Sequence, residues 1–154
     1  KGLFLNHNPK FILQGEKIMH AKKQVLILSS SESIPIAEEI AVLLEEMNVE
    51  PILWNDIFRP GHYALTDLKK KSKEVAGAIC IFNSDDTTSS RGKLFDTVRD
   101  NVLFEYGLFV GILEMERSVF LCNGNPKIPT DLSGITYIQR TESNSFSVRK
   151  KLRH

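Results

Sequence analysis

The sequence predicts an α/β domain built on an open parallel sheet, and three observations carry that reading. Short apolar runs bounded by turn residues alternate along the chain with stretches whose apolar positions recur at helical spacing. The run AGAICIF at residues 76–82 is apolar almost without a break, as a parallel strand covered by helices on both faces must be. Finally, 154 residues with 42% apolar content and balanced charge match one compact domain with one buried core.

Residues 1–22 mix apolar and basic side chains without a clear period and read as a linker or the tail of a preceding module, leaving residues 23–154 as the domain. VLIL from Val25 is a short buried strand. The serine-rich SSSES then supplies a loop and a helix N-cap before a stripe formed by Ile36, Ile40, Leu43, Leu44 and Met47. PILW at residues 51–54 reads as a second strand, NDIFRPGHY as a loop, and residues 64–75 as a basic amphipathic helix. Residues 76–82 supply the central strand, NSDDTTSSRGK a polar loop, and residues from about 97 to 115 a long helix. A strand at 118–123, a polar loop, a short strand at 135–138 and a basic helix starting near Ser145 complete the chain. About five strands joined by helical crossovers imply flavodoxin-like winding, a parallel sheet with helices on both faces.

Composition narrows the function classes. Lys plus Arg is 20 against 19 for Asp plus Glu, a net charge of +1, so there is no basic field to hold a phosphate backbone and no direct nucleic-acid partner is expected. The apolar runs are strand-sized and fall short of the roughly 20 residues needed to cross a bilayer, so no membrane partner is expected. Cys80 and Cys122 sit inside strand-like runs and read as reduced core thiols of a cytoplasmic protein. The histidines His7, His20, His62 and His154 show no ligand spacing, and no metal site is expected. A start at Lys1 without methionine or signal peptide predicts a piece of a longer protein.

In an open parallel sheet, ligands bind beyond the carboxyl ends of the strands. Those ends carry residues 29–32, 54–61 and 83–88. Ser30 and Ser31, at a helix N-terminus, suit a phosphate or ribose oxygen or act as plain caps. Trp54 can stack on an aromatic base or nicotinamide ring, or pack in the core. Asp85 and Asp86 can accept ribose hydroxyls, cap a helix or bind a cation. Neither GxGxxG nor GxxxxGK[ST] is present, so any nucleotide is held in another way.

The most informative stretch is RDNVLFEYGLFVGIL at residues 99–113. At 100° per residue, Phe95, Val98, Val102, Tyr106, Phe109 and Leu113 share one face while Phe104, Leu108 and Ile112 cover the other, a pattern for a helix buried all round. Glu105 lies within it. A carboxylate flanked by Phe104, Tyr106 and Leu108 loses water on folding, which costs several kcal/mol unless a partner compensates. Two explanations stay open, a structural ion pair and a functional acid. Asn101, one turn earlier, can reach the same pocket, whereas Arg99 lies about 120° away and meets the strand-end loops more easily. Gly107 and Gly111 allow another element to approach the backbone closely.

These residues resemble the bacterial TIR-like domains of the predicted nucleotide-binding family, found in Pycsar TIR effectors and TIR-STING proteins of anti-phage defence. The resemblance runs from residue 25 to about 138. It rests on SSSE at 29–32, Trp54 with Phe58 after a short loop, the Asp85–Asp86 pair followed by RG, RDNVLFEYGLFVG at 99–111 and IPTDLSGIT at 128–136. LEMER at 113–117 departs from the usual LGR-x-R, Asp67 stands where many members carry glutamate, and Tyr106 replaces a usual leucine.

The resemblance implies that Glu105 is the catalytic residue of an NAD+ hydrolase releasing nicotinamide and ADP-ribose. Ser30, Ser31, Trp54, Phe58, Asp85, Arg99 and Asn101 would contact the substrate. NAD+ is then substrate, and no cofactor is implied. One carboxylate suffices, because nicotinamide is already cationic on its ribose and leaves without needing a proton. The resemblance also implies homotypic TIR–TIR assembly, driven by a cyclic-nucleotide sensor domain in the full-length protein. The competing reading is a TIR module that acts by contacts alone or binds a nucleotide without cleaving it.

Overall fold

The computed structural model describes residues 22–57, 63–141 and 145–152. Phe58 and the four histidines lie outside the described residues, as do residues 1–21 of the segment read as a linker.

Five strands form one parallel sheet: β1 (Gln24–Leu28), β2 (Glu50–Leu53), β3 (Gly77–Phe82), and, after a hairpin, β6 (Ser118–Asn123) and β7 (Ile138–Arg140). Their spatial order is β2-β1-β3-β6-β7, with every pairing parallel. The predicted central strand is thus central. The sheet carries helices on both faces. α2 (Ala64–Lys71) and α3 (Asp100–Leu113) cover one face through Leu68, Val102, Tyr106, Phe109 and Leu113. α1 (Ile34–Glu46) and α4 (Ser145–Leu152) cover the other through Ala37, Ile40, Leu44 and Val148.

Aromatic packing fixes α3 against the sheet. Phe82 stacks on Phe120 with ring centroids 4.6 Å apart, and Tyr106 meets both rings edge-on at 5.4 and 5.3 Å. Edge-on contacts of this kind add to area burial because the ring edge and face carry opposite partial charge. Gly77 suits a close approach, since a Cβ there would lie 3.1 Å from the Arg117 carbonyl oxygen, tighter than ordinary van der Waals contact.

Several expectations are corrected. The polar stretch read as a loop folds into an antiparallel hairpin, β4 (Asp86–Ser90) and β5 (Lys93–Thr97), forming a separate two-stranded sheet. Its strands are mostly exposed and therefore lack the apolar alternation that marks a half-buried strand. The helix predicted from about residue 97 starts at Asp100, and Thr97 and Phe95, the latter placed on its apolar face, belong to β5. α3 is not buried all round: Phe104 is exposed, and so are Gly107 and Gly111, whose missing Cβ atoms would meet nothing within 4 Å. The last strand lies at residues 138–140 rather than 135–138, and the second helix ends at Lys71.

Candidate active site

The carboxyl ends of the strands gather most of the predicted site residues. After β1, residues 29–33 turn into α1 through a 3-10 turn at Ser31–Ser33. The serines do not cap α1, whose N-cap Ser33 makes no side-chain capping bond. They face the β3 end instead. Ser30 and Ser33 both donate their hydroxyls to Asp85 Oδ2, the Ser33 bond at 3.1 Å, and Asn83 Nδ2 donates to Asp85 Oδ1 at 2.8 Å. Ser29 Oγ accepts from Trp54 Nε1 at 3.1 Å, and the Trp54 ring packs against the core. Ser31 is exposed.

The polar contacts continue past Asp85. Asn123 Nδ2 donates to Asn83 Oδ1 at 2.9 Å, Arg140 Nη1 donates to Asn123 Oδ1 at 2.8 Å, and Arg140 Nη2 donates to Glu39 of α1. Asn83, Asn123, Arg140 and Glu39 were not singled out from sequence. The signal was there in register: β3 pairs Phe82 with Cys122 and β6 pairs Asn123 with Arg140, so three polar side chains fall in line across adjacent strands.

Arg99, the N-cap of α3, points at the strand-end loops as its helical angle required. Its Nη2 lies 3.0 Å from Glu32 Oε1 and 3.5 Å from Asp86 Oδ1, joining the β1 end to the hairpin. Asn101 is exposed, and its backbone N–H donates to Asp100 Oδ1 at 2.7 Å. No contact brings its side chain to Glu105.

Glu105 is half-buried on α3. Among the described residues it has no ion pair and no hydrogen bond, so the structural salt link that the sequence left open is not formed there. Loss of water pushes its carboxyl up from 4.5 to about 7. A cavity of about 400 Å³ opens beside the Trp54–Asp56 turn, lined by Asp56, Ile57, Thr66 and Lys70 among others. A larger one, about 720 Å³ and mostly apolar, lies at the opposite end of the sheet, where Val25, Ala78 and Val119 line it. Glu105 lines neither. Among the described residues no three His, Cys, Asp or Glu side chains converge as metal ligands, and no helix is long and apolar enough to cross a membrane.

The profile of the family described as CAP12/Pycsar effector protein, TIR domain, matches residues 24–142, from the first strand to just past the last. The chain is a TIR domain of the CAP12/Pycsar effector family. This TIR domain is 38% identical over 123 residues to CD-NTase-associated protein 12 of Sphingobacterium faecium, covering 80% of the chain and 38% of that protein. It is 38% identical over 122 residues to the Pycsar effector protein PaPycTIR of Pseudomonas aeruginosa, covering 77% of the chain and 40% of that protein. The Pycsar effector protein BcPycTIR of Burkholderia cepacia is 29% identical over 135 residues, 84% of the chain and 45% of that protein. The TIR domain therefore spans less than half the length of these relatives.

Proposed function

We propose that this TIR domain hydrolyses NAD+ to nicotinamide and ADP-ribose, with Glu105 as its catalytic residue. The observation that carries the reading is the state of that carboxylate. Burial has taken much of its water and raised it to about 7, and it finds no cation or donor among the described residues. A carboxylate kept at such cost without a structural partner is suited to a positive charge that arrives with a substrate. Cleavage of the nicotinamide–ribose bond develops oxocarbenium charge on the sugar, and an ionised Glu105 stabilises it while the neutral nicotinamide departs with the bonding electrons. Water then adds to the sugar carbon and loses a proton, giving ADP-ribose.

Trp54 and Ser29–Ser31, with Asp85, Arg99 and Asn101, stand on the strand ends and the start of α3 and supply the surface on which the remainder of NAD+ is oriented. Glu105 is only half-covered in one copy, which favours a site completed by a second copy. In this reading the domain is the effector part of a longer anti-phage protein, in the cytoplasm, and a cyclic-nucleotide sensor domain drives TIR–TIR assembly. The test is incubation of the domain, clustered on a multivalent scaffold, with NAD+. Release of nicotinamide that Glu105→Gln abolishes supports the reading. Equal turnover by that variant, or none by the clustered wild type, rejects it.

A further inference from the structure

The side-chain bonds at the carboxyl edge follow the strands in spatial order. Trp54 stands after β2, Ser29 and Ser30 after β1, Asn83 and Asp85 after β3, Asn123 ends β6 and Arg140 ends β7. Reading from the far edge, Arg140 donates to Asn123, Asn123 to Asn83 and Asn83 to Asp85, while Ser30 and Ser33 donate to the same carboxylate.

The direction of this row is fixed by chemistry. A guanidinium has donors only and an ionised carboxylate acceptors only, so each amide between them must accept on the Arg140 side and donate on the Asp85 side. We propose that Asn83 is a positioning residue, which, backed by Asn123 and Arg140, sets the orientation of Asp85 and thereby holds the serine turn at residues 29–33 in its binding form.

Two consequences follow. With its proton committed to Asp85, Ser30 offers a ligand only lone pairs, while Ser33 is wholly buried beneath it, so the turn favours a hydrogen-bond donor such as a sugar hydroxyl over the bare oxygens of a phosphate. And because Arg140 also grips Glu39 on α1, the row ties the helix that follows the turn to the far edge of the sheet. Connected bonds of this kind, with a charged group at either end, lose more than one bond's worth of order when a middle member is removed.

The test has one arm that needs no catalysis. The amides of Ser33 and Ile34 are bonded within the turn, to the Ser30 and Ser31 carbonyls. In Asn83→Ala and in Arg140→Gln their hydrogen-exchange protection is expected to fall at least tenfold, while amides inside β3 change by less than twofold. Asn83→Asp keeps the acceptor for Asn123 but repels Asp85, and gives the same local loss if an alanine variant folds poorly. Unchanged protection at Ser33 and Ile34, or a loss shared equally by β3, overturns the proposal.

The second arm rests on the NAD+ reading: with the clustered domain, Asn83→Ala is expected to raise KM for NAD+ at least fivefold with kcat within twofold. A fall in kcat at constant KM overturns the positioning role. Absence of turnover in the wild type rejects the NAD+ reading alone and leaves the exchange arm to decide on the row.

Discussion

The Glu105 carboxylate on α3 lies close enough to the Cys80 thiol inside β3 for its charge to add to burial in pushing that thiol well above its usual range. The thiol is fully buried and the carboxylate half-buried, and Glu105, with its carboxyl at about 7, holds a proton through a range where an ordinary glutamate has lost it. The linkage has a definite sign. Between pH 4.5 and about 7 the folded chain keeps a proton on Glu105 that the unfolded chain releases, so the contribution of this group to stability falls as pH rises through that window and is flat on either side of it. Glu105→Gln has no such loss. Its stability relative to wild type is expected to grow across that window and, because water still screens part of the carboxylate, to level off at about 1–2 kcal/mol. Urea melts of both proteins at pH 5 and pH 8 measure this, and an equal difference at the two pH values would refute it.

If ionised Glu105 stabilises the developing sugar cation, activity requires its deprotonated form. kcat/KM for NAD+ in the clustered domain is then expected to rise through pH about 7, as one ionisation of the free enzyme, and to plateau above it. Bound NAD+ places a nicotinamide cation near the carboxylate and lowers its pKa, so the kcat profile should have its midpoint at lower pH than the kcat/KM profile. A flat profile between pH 6 and pH 8 would contradict the assignment.

Asp85 is held by three donors from three residues, Ser30, Ser33 and Asn83, and Ser33 has no exposed surface. Truncating it leaves buried hydroxyl and amide protons without an acceptor, which costs more than the bonds themselves. Asp85→Ala is expected to destabilise the domain by about 1–3 kcal/mol. It should also weaken NAD+ binding, whereas Asp86→Ala, which removes only the exposed end of a 3.5 Å contact to Arg99, is expected to stay within about 0.5 kcal/mol of wild type. Denaturant melts of the pair separate the two carboxylates.

What the sequence disclosed and what it hid divide along physical lines. The residues of β3 and β6 are apolar on both faces, and that single fact located both strands to within one residue and put β3 at the centre. Val102, Tyr106, Phe109 and Leu113 repeat with the helical period and are the buried face of α3. Phe104 misled because an apolar type does not state which way it points, and Gly107 and Gly111 admit a close neighbour without supplying one. At the site, Glu105 stood out as a charge in an apolar run. Asn83, Asn123 and Arg140 did not, since each is an ordinary polar residue at a strand end and only the register of three parallel strands makes them a row. The serine turn was legible as a turn, but its partner, Asp85, is 55 residues away from Ser30 and bears no local mark of the contact.

The hairpin of β4 and β5 gives the last prediction, because its turn explains why a polar stretch folds at all. Arg91 and Gly92 both have positive φ, 52° and 75°, the backbone that a two-residue connection needs to match the twist of its strands. Glycine adopts it freely, and nothing lies within 4 Å of where its Cβ would be, so Gly92→Ala meets backbone strain alone. Arginine at 52° carries that strain already, about 1 kcal/mol of it. Arg91→Asn is therefore expected to stabilise the hairpin by about 0.5–1 kcal/mol, and Gly92→Ala to destabilise it by about 1 kcal/mol. The hairpin is a sheet of its own, tied at its base by the Lys127 N–H to the Asp96 carbonyl at 2.8 Å and by the Lys127 ammonium over the Phe95 ring at 4.1 Å. It can open without the main sheet, so the changes belong in the hydrogen exchange of residues 86–97 more than in a global melt. Equal shifts in β3 and in the hairpin would show instead that the two sheets unfold as one unit.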